Sequence, residues 1–243
     1  NEGVSIMSYM FDEISQQPEA IAQIVAKEGE RVHDIAEEIK SRNIRSIFLA
    51  ARGTSDHSAV YGKYLFGITN GLPVGLADPS VMTMYGAKLD MKDTLVIGVS
   101  QSGGSVDINE CLASSKECGA MVIGITNEPE SPITNIADHM IFCDAGKEKS
   151  VAATKTYTTS MAAFYLLSRA LAGDKSAGDS LLKCSEAMKK VLELNEYIKD
   201  RAERYRYADS AFTVSRGLNY CTALETALKL AETCYVRTRG FSA

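Results

Sequence analysis

The chain has 243 residues, 45% of them hydrophobic and 23% charged, with a formal net charge of −5; that is length and apolar content enough for one large core or two small ones. The acidic balance argues against a nucleic-acid surface, because such surfaces concentrate Lys and Arg to displace counterions from phosphates. No apolar run approaches the roughly 20 residues that cross a bilayer, the N-terminal stretch lacks the basic and apolar regions of a secretion signal, and six cysteines without a C-x-x-C pair read as reduced thiols, so a cytoplasmic protein without a membrane partner is expected.

In chain order, two helical stretches come first, at 8–28, interrupted near Pro18, and at 31–40. Strand-like runs then recur at 45–50, 73–77, 94–99, 121–126 and 139–143, most of them separated by helical stretches such as 55–67 and 106–118, with another helix at 154–172. Strands alternating with helices predict an α/β fold, a doubly wound, five-stranded parallel sheet in the flavodoxin-like order 2-1-3-4-5 with helices on both faces. The almost wholly apolar run 94–99 is what a strand buried on both faces needs. Residues 173–179 form a turn-rich linker, and 180–206 read as a long charged helix with too few apolar positions for the core, expected to bridge two lobes. Residues 211–217 repeat the form of 47–53, a strand running into small-Arg-Gly and then a helix, which suggests internal duplication. The expected organisation is N-terminal helices over 1–41, a first domain over 42–175, a linker helix over 176–208, and over 209–243 the start of a second lobe holding one strand–helix step, packed on the first lobe or continued in a longer protein.

The chemistry concentrates in loops. Ser100-Gln101-Ser102-Gly103-Gly104-Ser105 follows the third strand and precedes a helix, where unpaired N–H groups and the positive dipole end face an anion. Glycines allow close backbone approach and serine hydroxyls donate to phosphate oxygens without adding charge. An ordinary capped turn accounts for one serine there, but not for three serines and a glutamine in six positions. The first strand delivers Ala51-Arg52-Gly53-Thr54-Ser55-Asp56-His57, and in this strand order the two loops diverge at the topological switch point, where ligands bind. A third loop, Gly146 to Lys155, is either a cover for that ligand or a solvated turn. Three histidines without ligand-pair spacing predict no metal, and the lack of a Walker A or G-x-G-x-x-G sequence removes the arguments for a nucleotide or dinucleotide. The residues alone therefore point to a small phosphorylated ligand.

Four motifs in order carry a resemblance: Gly53-Thr54-Ser55, Ser100-Gln101-Ser102-Gly103, Val151-Ala152-Ala153-Thr154-Lys155-Thr156, and Ala223-Leu224-Glu225-Thr226-Ala227-Leu228-Lys229-Leu230-Ala231-Glu232, with Tyr9-Met10-Phe11-Asp12-Glu13-Ile14 and Gln17-Pro18 ahead of them. Together they resemble the sugar isomerase (SIS) family, in particular the isomerase half of glutamine–fructose-6-phosphate amidotransferases. Through Ala51-Arg52-Gly53-Thr54-Ser55-Asp56 the chain looks more similar to the stand-alone SIS-type glucosamine-6-phosphate deaminases. The resemblance implies that Ser55, Ser100, Gln101, Ser102 and Ser105 hold the phosphate, that Thr54 and the backbone at Val151 meet the sugar, and that Lys229 and Glu232 are catalytic, the glutamate moving a proton between C1 and C2. It also implies a homodimer that completes the site, an enediol or enolamine intermediate, and no metal or organic cofactor.

The implied reaction is glucosamine 6-phosphate to fructose 6-phosphate and ammonia; a sugar-phosphate-binding regulatory module and a deglycase of a phosphorylated sugar–amine adduct are the alternatives. Arg52, Gly104 and Ala153 depart from the amidotransferase pattern. By spacing alone, Lys229 with Glu232 and Glu225 with Lys229 read as surface ion pairs worth ~0.3–0.5 kcal/mol, whereas a carboxylate base is what proton transfer between adjacent carbons needs. His57 either assists ring opening or faces solvent, Asp56 caps that helix or favours its dipole, and the proton transfer falls to His57 or Glu148 if Glu232 does not perform it.

Overall fold

The structure, a computed structural model, describes residues 8–243. Five strands, β1 (Ser46–Ala50), β2 (Val74–Leu76), β3 (Thr94–Val99), β4 (Met121–Thr126) and β5 (His139–Phe142), form one parallel sheet in the order β2-β1-β3-β4-β5. The doubly wound α/β expectation therefore holds. Every residue of β3 and β4 is buried, which is why both read as unbroken apolar runs rather than alternating ones.

The helices are α1 (Tyr9–Ser15), α2 (Gln17–Glu28), α3 (Arg31–Ser41), α4 (Thr54–Asn70), the single turn α5 (Ser80–Thr83), α6 (Val106–Glu117), α7 (Lys155–Leu171), α8 (Ala177–Leu192), α9 (Asn195–Ala202) and α10 (Tyr220–Cys234). One core cluster holds Ile24, Ile35, Phe66 and Phe164 from α2, α3, α4 and α7 together with Ile97 and Ile123 of the sheet. Ile108 and Leu112 of α6 pack with Val96, Val122 and Ile133 in a second cluster. Strand β5 is an edge, and an open edge invites further strand pairing. Here Glu28 accepts the Phe142 N–H at 3.1 Å and Arg31 donates to the Met140 carbonyl, so α2 and α3 occupy that edge.

The interruption expected near Pro18 is found, and two other expectations are corrected. The first helical stretch breaks at Gln16, and Pro18 sits in the first turn of α2, where a missing N–H costs nothing. The long charged helix divides after Leu192 into α8 and α9. Its first part is not a bridge: Ala177 and Leu181 join the core and Ser185 Oγ donates to the Pro18 carbonyl at 2.7 Å. The C-terminal part holds a strand–helix–strand unit rather than one strand–helix step, because β7 (Arg237–Ser242) pairs in parallel with β6 (Ser210–Ser215). Arg-Thr-Arg-Gly-Phe-Ser carries one large apolar residue and lies in a two-stranded sheet whose outer positions are exposed, so no hydrophobic pattern marked it. No described helix is long and apolar enough to cross a membrane. All six cysteines are free, and burial pushes the Cys143 thiol up to about 11.

Candidate active site

The two serine-bearing loops lie side by side because β1 and β3 pair directly, with Ala50 opposite Gly98 at their ends. After β1 the chain turns at Gly53, φ +57°, and Thr54 begins α4. After β3 it turns at Gly103, φ +61°, where a Cβ would lie 2.0 Å from Ser131 Oγ. Both the backbone angle and the space thus demand glycine. Ser105 occupies the N-cap position of α6, yet its side chain makes no capping bond. Among the described residues the hydroxyls of Ser55, Ser100 and Ser105 have no protein hydrogen-bond partner, and Ser102 Oγ accepts only the Gly104 N–H at 3.3 Å. A plain capping role would have used the Ser105 hydroxyl; it is free for a ligand. Arg52 and Asp107 tie the loops together at 3.2 Å.

The third loop returns from β5 to α7 and is held by Glu148, whose carboxylate accepts from Thr154 N at 2.7 Å, Thr154 Oγ1 at 3.0 Å and Thr156 Oγ1. It faces the first two across a cavity of ≈ 140 Å³. Arg52, Thr54 and Ser55 come from the β1 exit, Gln101 from the β3 exit, and Glu148, Ser150 and Val151 from the third loop, with Tyr157 from α7. Four expected residues, Thr54, Ser55, Gln101 and Val151, are therefore brought together. Ser100, Ser102 and Ser105 share the Gln101 loop but are not among the cavity walls, and Lys229 and Glu232 lie beside the cavity rather than in it. The Tyr157 hydroxyl is buried without a partner among the described residues, and burial pushes its pKa up.

Helix α10 carries Glu225, Lys229 and Glu232 at spacings of four and three, hence on one stripe. Lys229 Nζ lies 3.2 Å from Glu225 Oε1, 2.7 Å from Glu232 Oε2 and 3.2 Å from Thr54 Oγ1. Thr54 Oγ1 donates in turn to Glu225 Oε1 at 3.0 Å, and His57 Nδ1 is 2.7 Å from Glu225 Oε2. Burial alone pushes the Glu225 carboxyl up, but the His57 hydrogen bond, the Lys229 charge and the Thr54 hydroxyl outweigh it and hold the carboxyl below the usual range. Glu225 is thus a fixed anion, and the His57 nitrogen facing it carries the proton. Glu232 is more exposed, 34% against 8% for Glu225, and Lys229 is its one hydrogen-bond partner among the described residues.

Two readings from the sequence change here. His57 does not face solvent, since its side chain is 17% exposed and engaged by Glu225. Glu225, weighed only as half of a surface pair, is a buried hub joining α10 to α4; the available signal was the three-residue charged stripe, which spacing alone could not place inside or outside.

Serine-bearing loops at the switch point of an open parallel sheet, with a charged helix beside them, define an α/β ligand-binding domain whose pocket lies beyond the carboxyl ends of β1 and β3. The SIS domain family matches residues 40–170. The glutamine–fructose-6-phosphate aminotransferase (isomerizing) of Thermococcus kodakarensis is 35% identical over 97% of this chain and 40% of its own length. Among solved structures, a protein described as a phosphosugar isomerase from Silicibacter pomeroyi superposes with a TM-score of 0.87 at 32% identity, over 97% of this chain and 72% of that one. The C-terminal domain of glucosamine-fructose-6-phosphate aminotransferase from Francisella tularensis gives 0.82 at 25% identity, over 100% and 72%. The chain belongs to the SIS domain family. It spans about two fifths of the length of the curated relatives it matches.

Proposed function

We propose that this chain interconverts aldose and ketose forms of a hexose 6-phosphate, with glucosamine 6-phosphate as the leading substrate and fructose 6-phosphate and ammonia as products. The observation that carries the reading is the Lys229 bridge, which touches Thr54 Oγ1 at the cavity wall (3.2 Å) and the Glu232 carboxylate (2.7 Å), tying an acid–base pair to the pocket. The names of the aminotransferase relatives, which join isomerisation to amino transfer at fructose 6-phosphate, support the substrate class.

On this reading the hydroxyls of Ser55, Ser100, Ser102 and Ser105 and the Gln101 amide take the phosphate where α4 and α6 begin, while Thr54 and the Val151 backbone meet the sugar. Glu232 removes the C2 proton of the open-chain amino aldose, giving an enolamine, and returns a proton to C1. Lys229 orients Glu232 and offsets charge developing on the C1 oxygen. The resulting C2 imine adds water, its C–N bond breaks, and ammonia leaves with the ketose formed. The protein acts as a homodimer.

Ammonia release across a panel of 6-phosphorylated amino sugars tests this directly. The expected result is ammonia and fructose 6-phosphate in equal amounts from glucosamine 6-phosphate. A protein that binds these sugars and returns all of them unchanged is a regulatory module, and one that releases a larger amine only from a sugar–amine adduct is a deglycase; either result overturns the assignment.

A further inference from the structure

The motif around Glu13 precedes the sheet and contributes nothing to the walls of the cavity, yet the structure gives it a second role. Glu13 is 4% exposed, although it belongs to a seven-residue helix near the start of the described chain. Its carboxylate accepts from the Lys149 N–H and, at 3.1 Å, from the Ser150 N–H. Two successive backbone amides converging on one carboxylate form an anion nest. Here the anion is supplied by the protein's own α1, 136 residues away in sequence. One turn further on, Gln16 Oε1 accepts from Lys155 Nζ at 2.8 Å, and Lys155 is 3% exposed. Lys149 Nζ also sits 5.2 Å from the Tyr9 ring centroid, within cation–π range. Every one of these contacts falls on the segment from Lys149 to Lys155, which carries Ser150, Val151 and Ala153 into the cavity.

The segment has two anchors of different kinds. Glu148 ties it to the start of α7 from within the loop itself. That bond fixes the base of the loop and leaves Lys149 to Val151 without regular secondary structure. Val151 is 99% exposed and so receives no packing support. The Glu13 carboxylate is what holds the two amides immediately before it.

We propose that α1 is a clamp and that Glu13 is a positioning residue for the sugar-facing loop, fixing Ser150 and Val151 against the pocket without touching the ligand. The inference rests on the proposed binding of a hexose 6-phosphate. It separates two parts of one ligand: the phosphate is met by Ser55 and the loop after β3, which Glu13 does not touch, whereas the sugar is met by Thr54 and the loop that Glu13 holds. Loosening the clamp therefore weakens binding of the sugar phosphate more than binding of free phosphate.

The test is Glu13→Gln in the full chain. The amide keeps one acceptor oxygen and turns an NH₂ group toward an amide N–H, so about one hydrogen bond is lost. We expect the Kd for fructose 6-phosphate to rise about tenfold, the Kd for inorganic phosphate to change less than about twofold, and hydrogen exchange at the Ser150 amide to accelerate. A fructose 6-phosphate Kd unchanged while the Ser150 amide exchanges faster overturns the proposal, as does an equal loss for both ligands, which would mark a general structural defect. If the unaltered protein binds no hexose 6-phosphate, the proposed function falls, and the clamp is then decided by exchange alone, with unchanged protection at Ser150 in the variant refuting it. Should Glu13→Gln fail to fold, Glu13→Asp, which keeps the charge and shortens the reach, is expected to raise the sugar-phosphate Kd about threefold; no rise refutes the clamp.

Discussion

Replacing Gly103 by alanine tests whether the turn after β3 has the shape on which the phosphate loop depends. At φ +61° an alanine costs roughly 1–2 kcal/mol for the left-handed backbone. Its Cβ would also lie 2.0 Å from Ser131 Oγ, 2.5 Å from Ser131 Cβ and 2.9 Å from Ile133 Cγ2. Neither neighbour yields easily. Ser131 is 5% exposed and donates to the Glu128 carbonyl at 2.6 Å, while Ile133 is fully buried in the second core cluster. Overpacking of this kind adds about 1–3 kcal/mol, so the expected destabilisation is about 2–5 kcal/mol. For a chain of this size that lowers Tm by on the order of 10 °C. The adjacent Gly104 is the control: its Cβ would meet nothing nearer than Ser102 Oγ at 3.7 Å, and its φ is not positive, so Gly104→Ala is expected to stay within about 0.5 kcal/mol of the parent. Thermal and urea unfolding of the pair decide the matter. Equal Tm values for the two variants, or a loss at Gly103 below about 1 kcal/mol, would refute the reasoning.

Ser105→Ala removes a hydroxyl without a protein partner among the described residues, so stability should be unchanged while calorimetry shows fructose 6-phosphate binding weakened by about 1.5–3 kcal/mol, the worth of a charge-assisted bond; unchanged affinity removes Ser105 from the phosphate site. Glu225→Gln leaves His57, Thr54 and Lys229 facing an uncharged partner and is expected to cost ~3 kcal/mol at pH 7. Because the folded-state carboxyl lies below its unfolded value, its stabilisation is complete above the ordinary carboxylate range and is lost as pH falls through the folded value. The gap between parent and variant in urea unfolding should therefore shrink as pH drops below about 4, and a constant gap contradicts the assignment. Light scattering should report a dimer, consistent with the exposure of Phe212 (74%), Val214 (61%) and Tyr235 (89%) around the C-terminal unit; a strict monomer at micromolar concentration counts against it.

The central sheet was legible because β3 and β4 are buried on both faces, and an apolar run of six residues bounded by turns admits few other placements. Strand β7 was not, since Arg237 and Arg239 are exposed in a sheet of only two strands and leave no alternation to read. The serine loops stood out by composition, whereas Glu225 did not: a glutamate four residues before a lysine looks the same on a surface helix and on one pressed against α4. Whether such a pair is buried depends on which face of α10 meets the first lobe, which is settled by tertiary packing and not by spacing. Glu13 was hidden for the same reason, its partners being backbone amides that no sequence pattern marks.

The most direct measurement of the proposed chemistry is solvent proton exchange. In heavy water containing ammonia, with which fructose 6-phosphate forms the C2 imine, the protein should incorporate deuterium at C1 of fructose 6-phosphate, and Glu232→Gln should slow that incorporation by roughly 10²-fold or more while the sugar phosphate still binds. Undiminished incorporation in the variant would take the proton transfer away from Glu232, and no incorporation by the unaltered protein in spite of binding would contradict the isomerase assignment itself.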